Sequence, residues 1–196
     1  MTSGTNAGLL SRRAWTPPWW WRRALAGPSA WPRRVAVAVL ACAGLLISLR
    51  LAFFQYGLVP AVWEPWFGDG SVRVLESGFS RALPVHDAAL GAAAYLVEFV
   101  LELSGGTTRW WRRPWLVVLL GLVAGGMAVA ALFLVALQAF VIGAFCTLCL
   151  VSAAISLVVP LFVAEEVAAV WRQLRRARRY GRSWAAALRG GDMDAH

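Results

Sequence analysis

The longest uncharged stretch of the chain, about 50 residues from Trp115 to Ala164, limits its possible folds more than any other feature. A helix needs about 20 apolar residues to cross a bilayer, so this stretch is too long for one span and suits two. The chain is also 60% hydrophobic, which exceeds the apolar share of a soluble domain, and its mean hydropathy is +0.62. We therefore predict an all-α integral membrane protein in contact with membrane lipids.

Apolar runs between charged or Gly- and Pro-containing stretches predict a bundle of four transmembrane helices. The second run is less hydrophobic than the others because it contains Asp87, Glu98 and Glu102. The predicted helices make up a membrane domain over residues 35–168, with a basic tail over 169–196. Their expected bounds are about 35–59, 84–103, 115–138 and 144–164.

Residues 1–34 alternate three Arg pairs with several Trp residues. Indole rings prefer the membrane interface and guanidinium groups bind lipid phosphates, so this tail suits a cytoplasmic anchor at headgroup level. A disordered tail explains the composition equally well. The segment has no short apolar core followed by a small-residue cleavage site, and we expect no removable signal peptide.

The distribution of Arg predicts the orientation. Six Arg precede the first helix, three lie in 104–114 and seven follow the fourth helix, but only two lie in 60–83 and none at 138–143. By the positive-inside rule both termini are cytoplasmic, and the loop at 60–83 and the start of helix four are extracytoplasmic. The net charge of +9 is spread between and beyond the apolar runs, which indicates an anionic membrane surface as partner and no nucleic acid. All 19 basic residues are Arg, which with the Ala, Gly and Val content suggests a GC-rich bacterial genome. We therefore expect a multi-pass protein of the bacterial cytoplasmic (inner) membrane.

Cys146 and Cys149 form a C-x-x-C pair at the predicted start of helix four. The unpaired N–H groups and positive dipole end of a helix stabilise a thiolate, so this position favours thiol–disulfide chemistry. On the oxidising side of the membrane we expect the two to form a disulfide and Cys42 to remain a free thiol. Zinc is a rival reading, but the remaining candidate ligands are too few for a structural site, and we predict no metal. The bland alternative is that both cysteines pack as small apolar residues.

The motif Phe145-Cys146-Thr147-Leu148-Cys149 at the head of the last helix resembles the catalytic core of the vitamin K epoxide reductase family. Two other motifs agree with it. Val74-Leu75-Glu76-Ser77 resembles the family's loop serine motif, and Gly91-Ala92-Ala93-Ala94-Tyr95 resembles its Gly and Tyr pair in helix two. The resemblance covers about residues 35–165 and implies the same four-helix bundle.

In that family the C-x-x-C exchanges electrons with a quinone held in the bundle, and a loop cysteine pair relays electrons to a thioredoxin-like protein. The resemblance implies a quinone cofactor, ubiquinone or menaquinone, and an extracytoplasmic thioredoxin-like thiol protein as partner. It also implies that Cys149 lies next to the quinone and that Cys146 serves the thiol partner.

The chain departs from the family at the loop cysteines. Ser71 stands at the position of the second, and Trp63 or a neighbour at that of the first. Cys42 cannot replace them, because it lies about 10 Å from the cytoplasmic end of the first predicted helix at 1.5 Å per residue. Two functions remain open: a quinone-linked thiol–disulfide oxidoreductase, which we favour, and a non-catalytic membrane scaffold or assembly protein that retains the fold.

Four further residues are candidates for quinone binding: Asp87, Arg50, Leu90 and Ser77. Asp87 falls where the family has an Asn that hydrogen-bonds a quinone carbonyl, although an acid in a first helical turn also complements the helix dipole. Arg50 is costly within a span unless it is paired or hydrated, and we expect an ion pair with Asp87. Snorkelling of Arg50 to the outer interface is the alternative. Ser77 belongs to the loop motif, and Leu90 precedes Gly91 of the helix-two motif.

Overall fold

The computed structural model describes residues 27–78, 80 and 85–190, and all regular structure in these residues is helical. Most of the Arg- and Trp-rich tail lies outside the described residues, so the anchor predicted there stays a prediction. A π-helical segment at Gln138–Ile142 follows the fifth helix directly. The α-helices are α1 (Trp31–Gln55), α2 (Gly70–Leu75), α3 (Asp87–Leu103), α4 (Arg109–Arg112), α5 (Pro114–Leu137), α6 (Thr147–Arg179) and α7 (Trp184–Arg189).

Three helices are long and apolar enough to cross a membrane. They are α1, α5 together with the π-helical segment, and α6, with mean hydropathies of 2.3, 2.6 and 2.4 in their most apolar windows. The multi-pass membrane character predicted from composition is therefore confirmed. Helix α3 has 17 residues and carries three carboxylates, which sets it apart from the other three.

The predicted bounds of two helices were wrong. Helix α1 begins at Trp31 and ends at Gln55, whereas the predicted helix runs from about residue 35 to about residue 59. Pro32 suits the first turn of a helix, and Gly57 adopts a positive φ of 72° that ends the helical path. Helix α6 continues to Arg179, far beyond the predicted end at 164, so the expected boundary at 168 falls inside a helix.

The four long helices form a closed bundle in which α1 packs on α3 and α6, and α5 packs on α3 and α6. The central core takes side chains from all four helices: Val37, Ala41, Tyr95, Leu101, Leu116, Leu120, Ala124, Ile155, Val159 and Val163. Glycine allows the closest approach, because a Cβ atom at Gly44 of α1 would overlap the ring of Tyr95 on α3. A second cluster at the cysteine-bearing end joins α2 to Cys146.

Buried charges close the opposite end of the bundle. Arg109 Nη2 lies 2.9 Å from Glu102 Oε2 and 2.7 Å from Glu166 Oε2. Arg34 on α1 donates to the carbonyl oxygens of Glu102, Ser104 and Gly105. We call these four side chains, Arg34, Glu102, Arg109 and Glu166, the charge cluster. Buried charges persist only when paired and hydrogen-bonded, and this cluster meets that condition while joining α1, α3, α4 and α6.

Candidate functional site

The cysteine pair lies where the π-helical segment gives way to α6. Gly143 adopts a positive φ of 63° and ends the π-helical segment, and Cys146 becomes the N-cap of α6. Cys146 Sγ accepts a hydrogen bond of 3.2 Å from the backbone N–H of Cys149. The two cysteines form a disulfide with a Cα–Cα distance of 5.2 Å, and Cys42 is free, as predicted.

The two sulfur-bearing residues have different surroundings. Cys146 is 0% exposed and packs beneath the loop that contains α2. Gly70 of that loop lies directly against the carbonyl oxygen of Phe145, and the ring centroids of Phe67 and Phe145 are 5.6 Å apart. Cys149 instead lines an internal cavity. The pair therefore has one residue covered by the loop and one residue facing the bundle interior.

Glu64 joins the loop to the first residue of α6. Its Oε2 accepts a hydrogen bond of 3.0 Å from the backbone N–H of Thr147, and its carboxylate also accepts from the hydroxyls of Thr147 and Ser71. Partial burial raises the pKa of Glu64, but the hydrogen bonds from Ser71, Thr147 and the Trp66 backbone outweigh that effect and lower the pKa below its usual value. A carboxylate therefore occupies the positive end of the cysteine-bearing helix.

A cavity of about 520 Å³ lies inside the bundle next to Cys149. Its lining is mostly apolar and comes from α1, α2, α3, α5, the π-helical segment and α6. Leu90, Leu122 and Phe133 line the cavity and are also more than half exposed on the outer surface of the bundle. The cavity therefore opens sideways between α3 and α5 rather than toward an end of the bundle.

A few polar groups converge on this cavity. The Tyr95 hydroxyl donates a hydrogen bond of 2.8 Å to the Ser152 carbonyl oxygen and lies 2.7 Å from Ser156 Oγ. Gln138 is 3% exposed, and its Oε1 accepts a hydrogen bond of 3.3 Å from the Cys146 backbone N–H. Gln138 therefore contacts both the disulfide segment and the cavity. An apolar cavity with a few oriented polar groups is typical of a small-molecule site.

The expected ion pair between Arg50 and Asp87 is wrong. Arg50 Nη2 donates a hydrogen bond of 2.8 Å to the Ala61 carbonyl oxygen. Among the described residues, Arg50 is not one of those that line the cavity. Asp87 lines the cavity, and its Oδ1 accepts from Gln55 Nε2 at 2.7 Å and from Ser80 Oγ at 2.8 Å. Neutral donors satisfy the carboxylate, while Arg50 lies close enough to the helix end to reach a loop carbonyl.

The other two predicted residues differ in position. Leu90 lines the cavity at its lateral opening. Ser77 is not among the lining residues of the described chain, and its Oγ faces the backbone N–H of Ser80 at 3.5 Å. The structure thus brings Asp87, Leu90 and Cys149 to one cavity and leaves Arg50 and Ser77 outside it. Among the described residues, no group of three or more His, Cys, Asp or Glu side chains is placed to hold a metal ion.

Glu64 and Gln138 contact the site but were not predicted from the sequence. In the sequence, Glu64 is one of several charges in the loop at 60–83, and Gln138 lies between two predicted spans. The signal for Gln138 was its polarity, because it is the only amide side chain within the long uncharged stretch. No comparable signal singled out Glu64, since its contact with Thr147 joins positions 83 residues apart.

Residues 35–164 match the sequence model of the Vitamin K epoxide reductase family. The matched segment covers about two thirds of the chain and includes the cysteine pair, the loop above it and the cavity. A comparison with curated proteins returned no match.

Proposed function

The chain belongs to the vitamin K epoxide reductase family, and we propose that it is a membrane thiol–disulfide oxidoreductase that couples Cys146 and Cys149 to a quinone. The observation that carries this proposal is the position of Cys149 on the wall of an apolar cavity, beside the disulfide that it forms with Cys146. A scaffold needs neither a disulfide at this position nor a cavity beside it.

The residues of the cavity fit a quinone. A quinone has a flat apolar ring with two carbonyl acceptors and an apolar tail. The side-chain amide of Gln138 offers polar hydrogens near the ring site, and the mostly apolar lining suits the ring faces. The opening between α3 and α5 faces the lipid in the proposed orientation, so a tail can remain in the bilayer. Both ubiquinone and menaquinone have these features.

Each residue of the site has a distinct part in the proposed reaction. A bound quinone supplies an acceptor for two electrons and two protons. Cys146 and Cys149 as thiols supply those electrons and protons, and they return to the disulfide. Cys149 exchanges electrons on the cavity side, and Cys146 reacts with an extracytoplasmic thioredoxin-like thiol protein. The Gln138 amide orients the quinone ring, and Tyr95 forms part of the cavity wall. Asp87 accepts hydrogen bonds that order the loop end of α3.

We also propose that α3 is the fourth membrane span and that both termini are cytoplasmic. At 1.5 Å per residue, the 17 residues of α3 extend about 25 Å. Glu98 and Glu102 are buried inside the bundle, whereas the outward-facing residues of α3 are apolar: Leu90, Leu96, Val97, Val100 and Leu103. The cysteine pair then lies on the extracytoplasmic side of a bacterial inner membrane, where disulfides persist.

The alternative function is a non-catalytic membrane scaffold that retains the fold. The loop favours it, because Ser71 and Glu64 hydrogen-bond each other where the family has a cysteine relay. Without that relay, a thiol partner has to reach Cys146 directly.

Stoichiometric oxidation of the purified protein tests the proposal. The full chain in lipid nanodiscs is reduced, freed of reductant and mixed with a short-chain quinone. We expect one quinol to form for each disulfide that appears, and no quinol from the Cys149→Ser variant. Cys42→Ser is the matched control and should react as the unmodified protein does. A reduced pair that stays reduced in excess quinone would favour the scaffold.

A further inference from the structure

Glu64 is the only carboxylate that the structure places at the N-terminus of α6, among the described residues. Its three contacts there, with the Thr147 N–H, the Thr147 hydroxyl and the Ser71 hydroxyl, fix it beside the residue that follows Cys146. From this arrangement we infer that Glu64 is a positioning residue that lowers the reduction potential of the Cys146–Cys149 pair. The inference rests on the proposed function and deepens it.

The positive end of a helix dipole and its unpaired N–H groups stabilise a nearby thiolate, and this lowers the pKa of an N-terminal cysteine. In this chain Glu64 accepts the Thr147 N–H, one of the donors that a helix N-terminus leaves unpaired, while the Cys149 N–H donates to Cys146 Sγ. Its negative charge also opposes a second negative charge on the neighbouring residue. The Cys146 thiol therefore ionises less readily than in a helix without such a carboxylate.

Three other charged side chains at this end of the bundle have separate partners. Arg73 on α2 faces the carbonyl oxygen of Ile142 at 3.5 Å, and Arg50 on α1 donates to the carbonyl oxygen of Ala61. Asp87 on α3 accepts from neutral donors. Among these groups, only Glu64 contacts the first turn of α6. Its charge is therefore the one expected to act most strongly on Cys146.

The ionisation of the two thiols affects the reduction potential of the pair. Reduction of the disulfide takes up two electrons and yields two thiols, with protons added according to the ionisation of each thiol. A stabilised thiolate favours the reduced form and raises the potential, as low-pKa disulfide oxidants illustrate. Glu64 acts in the opposite direction, so the dithiol becomes a better electron donor. This suits a pair that delivers electrons to a quinone without a loop relay.

The test is the equilibrium redox state of Cys146 and Cys149 in glutathione buffers at pH 8, using the full chain in nanodiscs. Glu64→Gln keeps the size of the side chain and one acceptor oxygen but removes its charge. We expect the equilibrium constant for reduction of the pair to rise about tenfold, which corresponds to about 30 mV. Glu64→Asp keeps the charge but draws it back from the Thr147 amide, and it should produce a smaller rise.

Two controls separate charge from structure. Asp69→Asn removes the same charge from the same loop, and Ser71→Ala removes a hydroxyl that contacts Glu64 but leaves its carboxylate in place. Neither should raise the potential. An unchanged potential in both Glu64 variants, or an equal rise in Asp69→Asn, would overturn the inference alone. A pair that glutathione neither reduces nor oxidises would instead overturn the proposed function and the inference with it.

Discussion

Arg109 Nη2 lies 2.7 Å from Glu166 Oε2, with both side chains buried at the end of the bundle opposite the disulfide. The same guanidinium contacts Glu102 on α3, so one residue of the short helix α4 neutralises carboxylates from two long helices. Ser29, just before α1, also donates to Glu166. The charge cluster therefore joins α1, α3, α4 and α6 at this end of the bundle.

Replacement of Arg109 by leucine should strongly destabilise the bundle. The change leaves Glu102 and Glu166 buried and deprived of this partner, and breaking a buried pair on one side costs about 3–5 kcal/mol. The free energy of unfolding, measured by denaturing-detergent titration, checks this. Arg112→Leu is the matched control, because Arg112 is exposed and should contribute about 0.5 kcal/mol or less. Equal losses in the two variants would contradict a structural role for the cluster.

The close contact of Gly44 with Tyr95 predicts a second sensitive position. Gly44→Ala would force the Tyr95 ring aside, at a cost of about 1–3 kcal/mol, and would displace the hydroxyl at the cavity wall. We expect the affinity for a quinone analogue to fall roughly tenfold, about 1.4 kcal/mol. Titration of the analogue and thermal unfolding measure the two effects.

Gly125 of α5 provides the comparison for Gly44. Nothing lies within 4 Å of a Cβ atom at Gly125, so Gly125→Ala should leave binding unchanged and should not lower stability. If both alanine variants bind the analogue like the unmodified protein, Tyr95 does not need the space that Gly44 leaves.

The separate partners of Arg50 and Asp87 predict an additive double-mutant cycle. Arg50→Leu and Asp87→Leu should each destabilise the protein, and the double variant should lose about the sum of the two, to within about 0.5 kcal/mol. The free energy of unfolding of all four proteins gives the coupling. A coupling above about 1 kcal/mol would restore the ion pair that the sequence suggested.

Periodicity and charge predicted the elements that depend on local composition. The three apolar spans, the start of the last helix at the cysteines and the disulfide itself follow from residues close together in the chain. The extension of α6 was missed because its last turns are basic and lie beyond the apolar run, yet Val170, Leu174 and Ala177 pack on α5 and α7.

Long-range pairing explains what the sequence did not predict. In the sequence, Glu102 belongs to the least hydrophobic predicted span, and Arg109 and Glu166 lie beyond the ends of other spans. In the structure the three side chains form one buried cluster. Arg50 and Asp87 looked complementary, although a nearer carbonyl oxygen and nearer neutral donors satisfy them. Partner choice among several polar groups depends on distances of a few ångströms, and these are fixed by the packing of the helices rather than by local pattern.

The proposed orientation predicts which glycines are accessible from each side. Gly78 and Gly106 are exposed, and a Cβ atom at either position would have no neighbour within 4 Å, so cysteines should be tolerated there. In a Cys42→Ser background, a membrane-impermeant maleimide applied to intact cells should label Gly78→Cys and not Gly106→Cys. Permeabilised cells should show labelling of both. The opposite pattern in intact cells would reverse the topology and put the disulfide on the reducing side.

The most direct measurement of the central claim is the redox state of Cys146 and Cys149 in isolated membranes, with and without added quinone. Membranes are first treated with a mild reductant, and free thiols are then trapped by alkylation and counted by mass. Cys42 should be modified in every sample. We predict that added quinone converts Cys146 and Cys149 to the disulfide, and that a competing quinone analogue prevents it. Thiols that stay reduced and unaffected by quinone would contradict the proposed oxidoreductase.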